Sequence, residues 1–196
     1  KFSVMLNGEK VYEYEDKDNP LISGKVGVRT FDGPATFKSF TINGKEIETA
    51  SMPVGVSAMW EPVGNGTYKH ESNGSFNGTY HQAITGKPGD GIANYGLNKW
   101  GIGVEQDKKM SGYVYLKGSA CKAFVSLQNC NGSKEYARCD ISGIEPGEWK
   151  KFDFELTPSA TDSDARFVVA LDSEGTLGVD MAMLHTDSFP FRSDIT

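Results

Sequence analysis

Apolar and polar residues alternate one by one in short segments of this chain, and that rhythm constrains the fold more than any other feature. In 151–156, Phe152, Phe154 and Leu156 fall on one side, with Lys151, Asp153 and Glu155 on the other. In 112–117, Val114 and Leu116 oppose Tyr113 and Tyr115, and in 177–183 Leu177, Val179, Met181 and Met183 share a side. A two-residue repeat belongs to extended chain, whose successive side chains point to opposite faces. No window of useful length keeps apolar residues at the helical spacing i, i+3, i+4, i+7. Further strand-like runs lie at 26–30, 37–42, 121–128, 135–141 and 166–171, and glycines, asparagines and prolines punctuate them. Many short strands joined by such turns predict an all-β fold, an antiparallel β-sandwich of the jelly-roll type with an N-terminal β extension.

A length of 196 residues is enough to bury a core without metal or disulfide staples. The formal net charge of −6, with no basic cluster longer than Lys108-Lys109 or Lys150-Lys151, excludes the positive stripe that a nucleic-acid partner needs. No apolar run approaches the roughly 18–20 residues of a membrane span. The opening Lys1-Phe2-Ser3-Val4 is already strand-like and reads as a processed or truncated start. The lack of a leader therefore carries no information on compartment.

Three cysteines, Cys121, Cys130 and Cys139, are too few and too odd in number for a disulfide framework. The inward sets Ala123, Val125, Leu127 and Ala137, Cys139, Ile141 are all odd-numbered. Opposed residues must then sum to an even number, so the connection between these strands holds an odd number of residues. That argues against a two-residue Asn131-Gly132 hairpin. A loop centred on Cys130 puts Cys121 opposite Cys139, where a bridge can form; a loop one residue later puts Cys139 opposite Ala123 and forbids it. Free, buried thiols are the expectation. Four Asn-x-Ser/Thr sequons begin at Asn65, Asn73, Asn77 and Asn131, all in turn-forming Asn-Gly sequence.

Composition shifts near 45–60, where Asn43-Gly44-Lys45-Glu46 closes a strand group and 51–58 is small and irregular. We place the domains at 1–49, 50–188 and 189–196, the last a linker.

The acidic residues sit in turns or on solvent sides, as in Glu13-Tyr14-Glu15-Asp16 and Asp162-Ser163-Asp164, whereas glycoside hydrolysis needs two carboxyl groups across one bond. His70, His81 and His185 have no metal-ligand spacing and no nucleophile motif beside them. No catalytic residue is therefore assigned. Aromatic rings interleaved with amides are a different signal. Flat rings stack on the C–H faces of sugars, and amides pair with sugar hydroxyls. Tyr80 and Gln82, then Tyr95, Asn98 and Trp100, have this mixture, and Tyr113, Tyr115 and Gln128 (with Tyr136 and Arg138) lie on the non-core sides of their strands. Trp60 and Trp149 are assigned to packing. A structural calcium is the one cofactor considered, with Asp180 as an oxygen ligand.

The segments 91–102 (GIANYGLNKWGI), 147–157 (GEWKKFDFELT), 160–167 (ATDSDARF) and 175–184 (GTLGVDMAML), the last followed by Asp187-Ser188-Phe189 and Phe191-Arg192-Ser193-Asp194, resemble a known family in the order they occur. They are similar to the non-catalytic jelly roll, related to carbohydrate-binding module families 4 and 9, of glycoside hydrolase family 51 α-L-arabinofuranosidases. Residues 1–48, through 24–30 and 35–42, resemble the closing strands of a concanavalin-like laminin-G sandwich. The resemblance implies a carbohydrate-binding module without activity of its own, secreted or periplasmic. Its implied partners are plant cell-wall polysaccharide (arabinoxylan, arabinan or β-glucan) and the catalytic barrel of a parent enzyme, which would carry the catalytic glutamates. The other reading is a structural accessory domain that packs on that barrel without binding sugar. The family's Asn-x-x-Phe-Glu entry, a frequent calcium donor, has no counterpart before Trp60.

Overall fold

Each alternating segment forms a strand in the computed structural model, which describes residues 2–15, 17, 40–42, 44–47 and 55–186. The chain divides into two compact units, Lys1–Thr49 and Ala50–Thr196. In the first, β1 (Phe2–Leu6) and β2 (Glu9–Tyr14) form a hairpin, as do β3 (Phe40–Ile42) and β4 (Lys45–Ile47). Asn7 and Gly8, at φ 52° and 85°, make the two-residue turn whose twist suits a hairpin. The segment 24–30, most of 35–42 and the linker 189–196 lie outside the described residues.

The second unit begins with β5 (Trp60–Val63), β6 (Thr67–Glu71), β7 (His81–Gly86), β8 (Gly91–Asn94) and β9 (Ile102–Val104). There follow β10 (Met110–Gly118), β11 (Lys122–Asn129), β12 (Glu135–Ser142), β13 (Lys150–Leu156), β14 (Asp162–Leu171) and β15 (Gly175–Thr186). They build two antiparallel sheets: a front sheet in the order β13-β10-β15-β7-β6, and a back sheet in the order β12-β11-β14-β8-β5, with β9 also on β14. Between them, Ile84, Val114, Leu116, Leu156 and Leu177 meet Ile92, Val125, Leu127, Val169 and Leu171, all fully or almost fully buried. Removing these side chains from water is the main term that holds the layers together. Phe154 and Phe167 stack across the interior with centroids 5.7 Å apart. Gly112 leaves room for this pair, because a Cβ there would stand 2.5 Å from the Phe154 ring.

Two turns at one end are tied by Asp90. Its carboxylate accepts the Asn65 N–H at 2.7 Å and the Lys87 N–H at 2.8 Å. Gly64 and Gly86 clear the space, since a Cβ at either would come within 2.2 Å and 2.3 Å of those oxygens.

Two expectations are corrected. Opposed core residues do sum to an even number, with Val125 facing Cys139 and Ala123 facing Ile141 about Gly132. A bulge between Leu127 and Gln128 makes this parity, and not the odd connection expected: the pair beside the loop is Gln128–Glu135, with the six residues 129–134 between them. Cys121 therefore has no Cys139 opposite it, and all three thiols are free, with Cys121 and Cys130 exposed and Cys139 half-buried. The turn chemistry sets this register. The Asn129 side chain accepts the Lys134 N–H at 2.9 Å, and Asn131 accepts the Ser133 N–H at 2.9 Å. The second correction concerns β15. Tyr113 pairs with Met183 but Tyr115 with Asp180, so one extra residue sits in β15, with Met181 at φ 48°. Beyond this bulge the faces exchange. Leu177 and Val179 point into the core, then Ala182 and Leu184 do, and Met181 is exposed rather than buried.

Candidate functional site

The outer face of the front sheet gathers a set of aromatic and ionic side chains. β10 alternates buried and half-buried residues, so Val114 and Leu116 enter the core while Tyr113, Tyr115 and Lys117 face out. Tyr113 and Tyr115 meet edge to face at 6.1 Å and 88°. From β13, Lys151 reaches over Tyr113 at 4.8 Å while Asp153 holds its ammonium at 2.7 Å, which raises the lysine's pKa. Glu155 pairs with Lys109 at 2.9 Å. Beside Tyr113 a depression of about 670 Å³ is lined by Ser111, Lys151, Asp153, Glu155 and His185 and, beyond the outer face, by Phe154 and by Cys139 of β12.

Next to this open half, the β6–β7 connection, residues 72–80, crosses the sheet as a strap. Phe76 lies flat on Tyr115, with centroids 3.8 Å apart and planes 17° from parallel. The Gly74 carbonyl accepts from Trp149 Nε1 at 2.7 Å and from Lys117 Nζ at 2.7 Å, and that ammonium stands 4.6 Å over the Trp149 ring. Asp180 Oδ2 accepts the N–H groups of Phe76 at 3.0 Å and of Asn77 at 3.2 Å. Trp149 can lie this close because Gly178 has no side chain; a Cβ there would stand 3.3 Å from the indole.

Beneath the strap, His81 is buried, edge-on to Trp149 at 5.1 Å, with Ser75 Oγ 3.3 Å from Nδ1 and Glu71 3.7 Å from Nε2. Burial lowers its pKa, the nearby Lys117 adds to this, and Glu71 and Asp180 oppose it. Serine, histidine and glutamate in line have the composition of a nucleophile triad. The amides beside Ser75 that would serve an oxyanion are engaged by Asp180, so the line-up acts as the footing of the strap.

The residues singled out from the sequence divide among several places. Tyr113 and Tyr115 share the front face. Gln128 belongs to the back sheet and Tyr95 follows the end of β8, and the expected single lining of Tyr113, Tyr115, Gln128, Tyr136 and Arg138 is corrected: β10 lies in the front sheet, β11 and β12 in the back sheet. Arg166 donates to Tyr95 Oη at 3.2 Å and to Gln128 Oε1 at 2.7 Å, and Gln128 donates to Ser126 Oγ at 2.9 Å. Gln82 faces the interior, buried, opposite Val179. Its amide accepts the Ser57 N–H at 2.8 Å and donates to the Gly55 carbonyl at 2.9 Å, so it joins the segment before β5 to the sheet.

Asn98 and Trp100 sit on the 95–101 loop. Asn98 and Lys99 are left-handed at φ 55° and 57°, and the loop is braced by the Lys99–Glu61 pair at 2.7 Å and the Gly101 N–H on the Tyr95 carbonyl at 2.8 Å. This projects Leu97 and Trp100 into solvent, 76% and 70% exposed. Tyr80 is also exposed, at the end of the strap. Trp60 packs into the core against Phe167 at 6.3 Å. Asp180, the residue expected to hold calcium, has its Oδ2 engaged within the strap. Its oxygen is turned to two backbone N–H groups, and among the described residues no three His, Cys, Asp or Glu side chains converge. Phe76 and Lys151 were not singled out from the sequence; the available signal was an aromatic residue between two Asn-Gly turns, at 73–74 and 77–78.

No family model matches the chain. Among curated proteins, α-L-arabinofuranosidase 1 of Arabidopsis thaliana is 30% identical over 117 residues, 56% of this chain. The chain spans 17% of that relative's length. Among solved structures, the arabinose-bound α-L-arabinofuranosidase MgGH51 superposes with a TM-score of 0.57 at 22% identity, over 67% of this chain and 24% of that one. The CBM22-1 xylan-binding domain from Paenibacillus barcinonensis gives a TM-score of 0.48 at 13% identity, over 69% of this chain and 90% of that one. At these identities the likeness to solved structures is one of fold, the antiparallel β-sandwich.

Proposed function

We propose that this chain is a non-catalytic carbohydrate-binding module of a secreted or periplasmic enzyme that degrades plant cell-wall polysaccharide, of the arabinofuranosidase type. The observation that carries the reading is the row Tyr113–Tyr115–Phe76 on one sheet face, with charged groups at its margin. A pyranose or furanose ring presents an apolar C–H face to such rings and hydroxyls to the ions beside them. Tyr113 would take the sugar face, while Lys151 and Asp153 would meet its hydroxyls. The candidates are arabinoxylan, arabinan and β-glucan. A shallow, wet face of this kind binds at about micromolar to millimolar Kd. The likeness to the arabinofuranosidases supports the choice of parent enzyme.

Affinity electrophoresis on the three polysaccharides tests it. Retardation of the wild type, lost in Tyr113→Ala and kept in Trp100→Ala, is the expected result. No retardation on any of them removes the reading.

The exposed pair Leu97 and Trp100, on a loop braced by an ion pair, favours a second role for the other end of the molecule. Apolar surface held out on a rigid loop is what a neighbouring catalytic barrel would cover. This accessory role predicts that adding the chain to the isolated barrel raises its activity, and that Trp100→Ala loses the gain.

A further inference from the structure

The strap places groups around Tyr115 that would otherwise face solvent with nothing to bind. Lifting residues 72–80 would free one open ring face on Tyr115, the indole N–H of Trp149, the ammonium of Lys117 and the carboxylate of Asp180. One flat ring, two donors and one charged acceptor around it are the chemistry that recognises a single sugar unit. The strap itself copies that ligand. Phe76 takes the ring position on Tyr115, the Gly74 carbonyl takes both donors, and the amides of Phe76 and Asn77 take the acceptor.

Its build suits displacement. Gly74 and Gly78 flank Phe76 at φ 66° and 68°, no atom lies within 4 Å of where a Gly78 Cβ would be, and Phe76 is 46% exposed. Apart from the part-buried Ser75–His81 contact, the polar bonds that hold this loop are exposed, and such loops open at lower cost than the core, with paired turns absorbing the change in backbone angle.

We propose that Tyr115, Trp149, Lys117 and Asp180 form a second saccharide subsite, latent beneath the strap, with Phe76 as its internal occupant. This rests on the carbohydrate reading of the same face and adds to it a neighbouring sugar unit beside Tyr113. Only molecules with the strap lifted bind through the full site, so affinity is reduced by the fraction that is closed.

Calorimetric titration of xylohexaose and of an α-1,5-arabinan hexasaccharide into wild type and Phe76→Ala tests the subsite. Phe76→Ala should bind about 2- to 10-fold tighter, the range that one aromatic pair is worth. Unchanged or weaker binding by Phe76→Ala overturns the subsite and leaves Tyr113 as the site. Binding by neither protein to either sugar defeats the carbohydrate reading, and the subsite with it. Amide hydrogen exchange in the wild type gives an arm that needs no variant: the N–H groups of Phe76 and Asn77 should exchange faster when the binding sugar saturates the protein. Equal or slower exchange overturns the proposal.

Discussion

Asp90 shows how much a single residue can hold. One carboxylate closes both the β5–β6 and β7–β8 turns through two backbone N–H groups, in space that Gly64 and Gly86 keep clear. Hydrogen bonds to a charged group are worth more than neutral ones, and their loss leaves amides without partners. Asp90→Ala should therefore lower stability by about 1–3 kcal/mol in urea unfolding, and Asp90→Asn, which keeps one acceptor, by less. At this scale the sequence was a poor guide. Nothing in the string sets Asp90 apart from the other acidic turn residues, because its role comes from two turns meeting in space. Gln82 misled for a related reason. An amide beside tyrosines reads as a sugar ligand, yet a buried amide also serves wherever several backbone groups need partners.

At the level of the strand, alternation was legible and register was not. β10 and β13 fall where period two puts them and bury their apolar sides, whereas β11 and β14, in the middle of the back sheet, are buried on both faces. Parity gave the even-sum pairing of core residues across the β11–β12 connection, but not the bulge between Leu127 and Gln128 that produces it. The centre of that connection depends on the Asn129 and Asn131 side chains folding back on the loop, which the hydrophobic pattern does not record. The register that results sets the thiol chemistry. A thiol reagent should label Cys121 and Cys130 quickly in the folded protein and Cys139 slowly. Peptide mapping after mild oxidation should find no Cys121–Cys139 disulfide, since β11 opposes Val125 to Cys139.

For the molecule as a whole, acid should be destabilising, and two groups give the sign. His81 has its pKa lowered mainly by burial, so the unfolded chain takes up the proton more readily. Its contribution to stability is complete well above the ordinary histidine value of about 6.5 and is lost as pH falls from there through the lowered value. Asp162 has its pKa lowered by the Asp164 N–H and the Tyr136 hydroxyl. Its contribution is present above the ordinary carboxylate value and disappears at more acidic pH. The urea midpoint should therefore fall between pH 7 and pH 5.5, and fall less in His81→Gln; an equal decline in both proteins would show that His81 is not the group responsible. The architecture was readable from the sequence because a sandwich needs only alternating strands and turns. Of the candidate face only Tyr113 and Tyr115 were readable, because Phe76 comes from the strap and Trp149 from the approach to β13, and only the strand order brings them beside β10.

The extra residue in β15 makes the far half of that strand a matter of counting. A regular strand of the same sequence, without the bulge, would press Met181, Met183 and His185 inward and turn Ala182 and Leu184 to water, whereas loss of Met181 alone would straighten the strand and leave the inward set unchanged. The frame of a single bulge thus decides whether this part of the domain has a dry interior at all, and deleting Met181 should cost far less than deleting Met183, which would turn Leu184 outward.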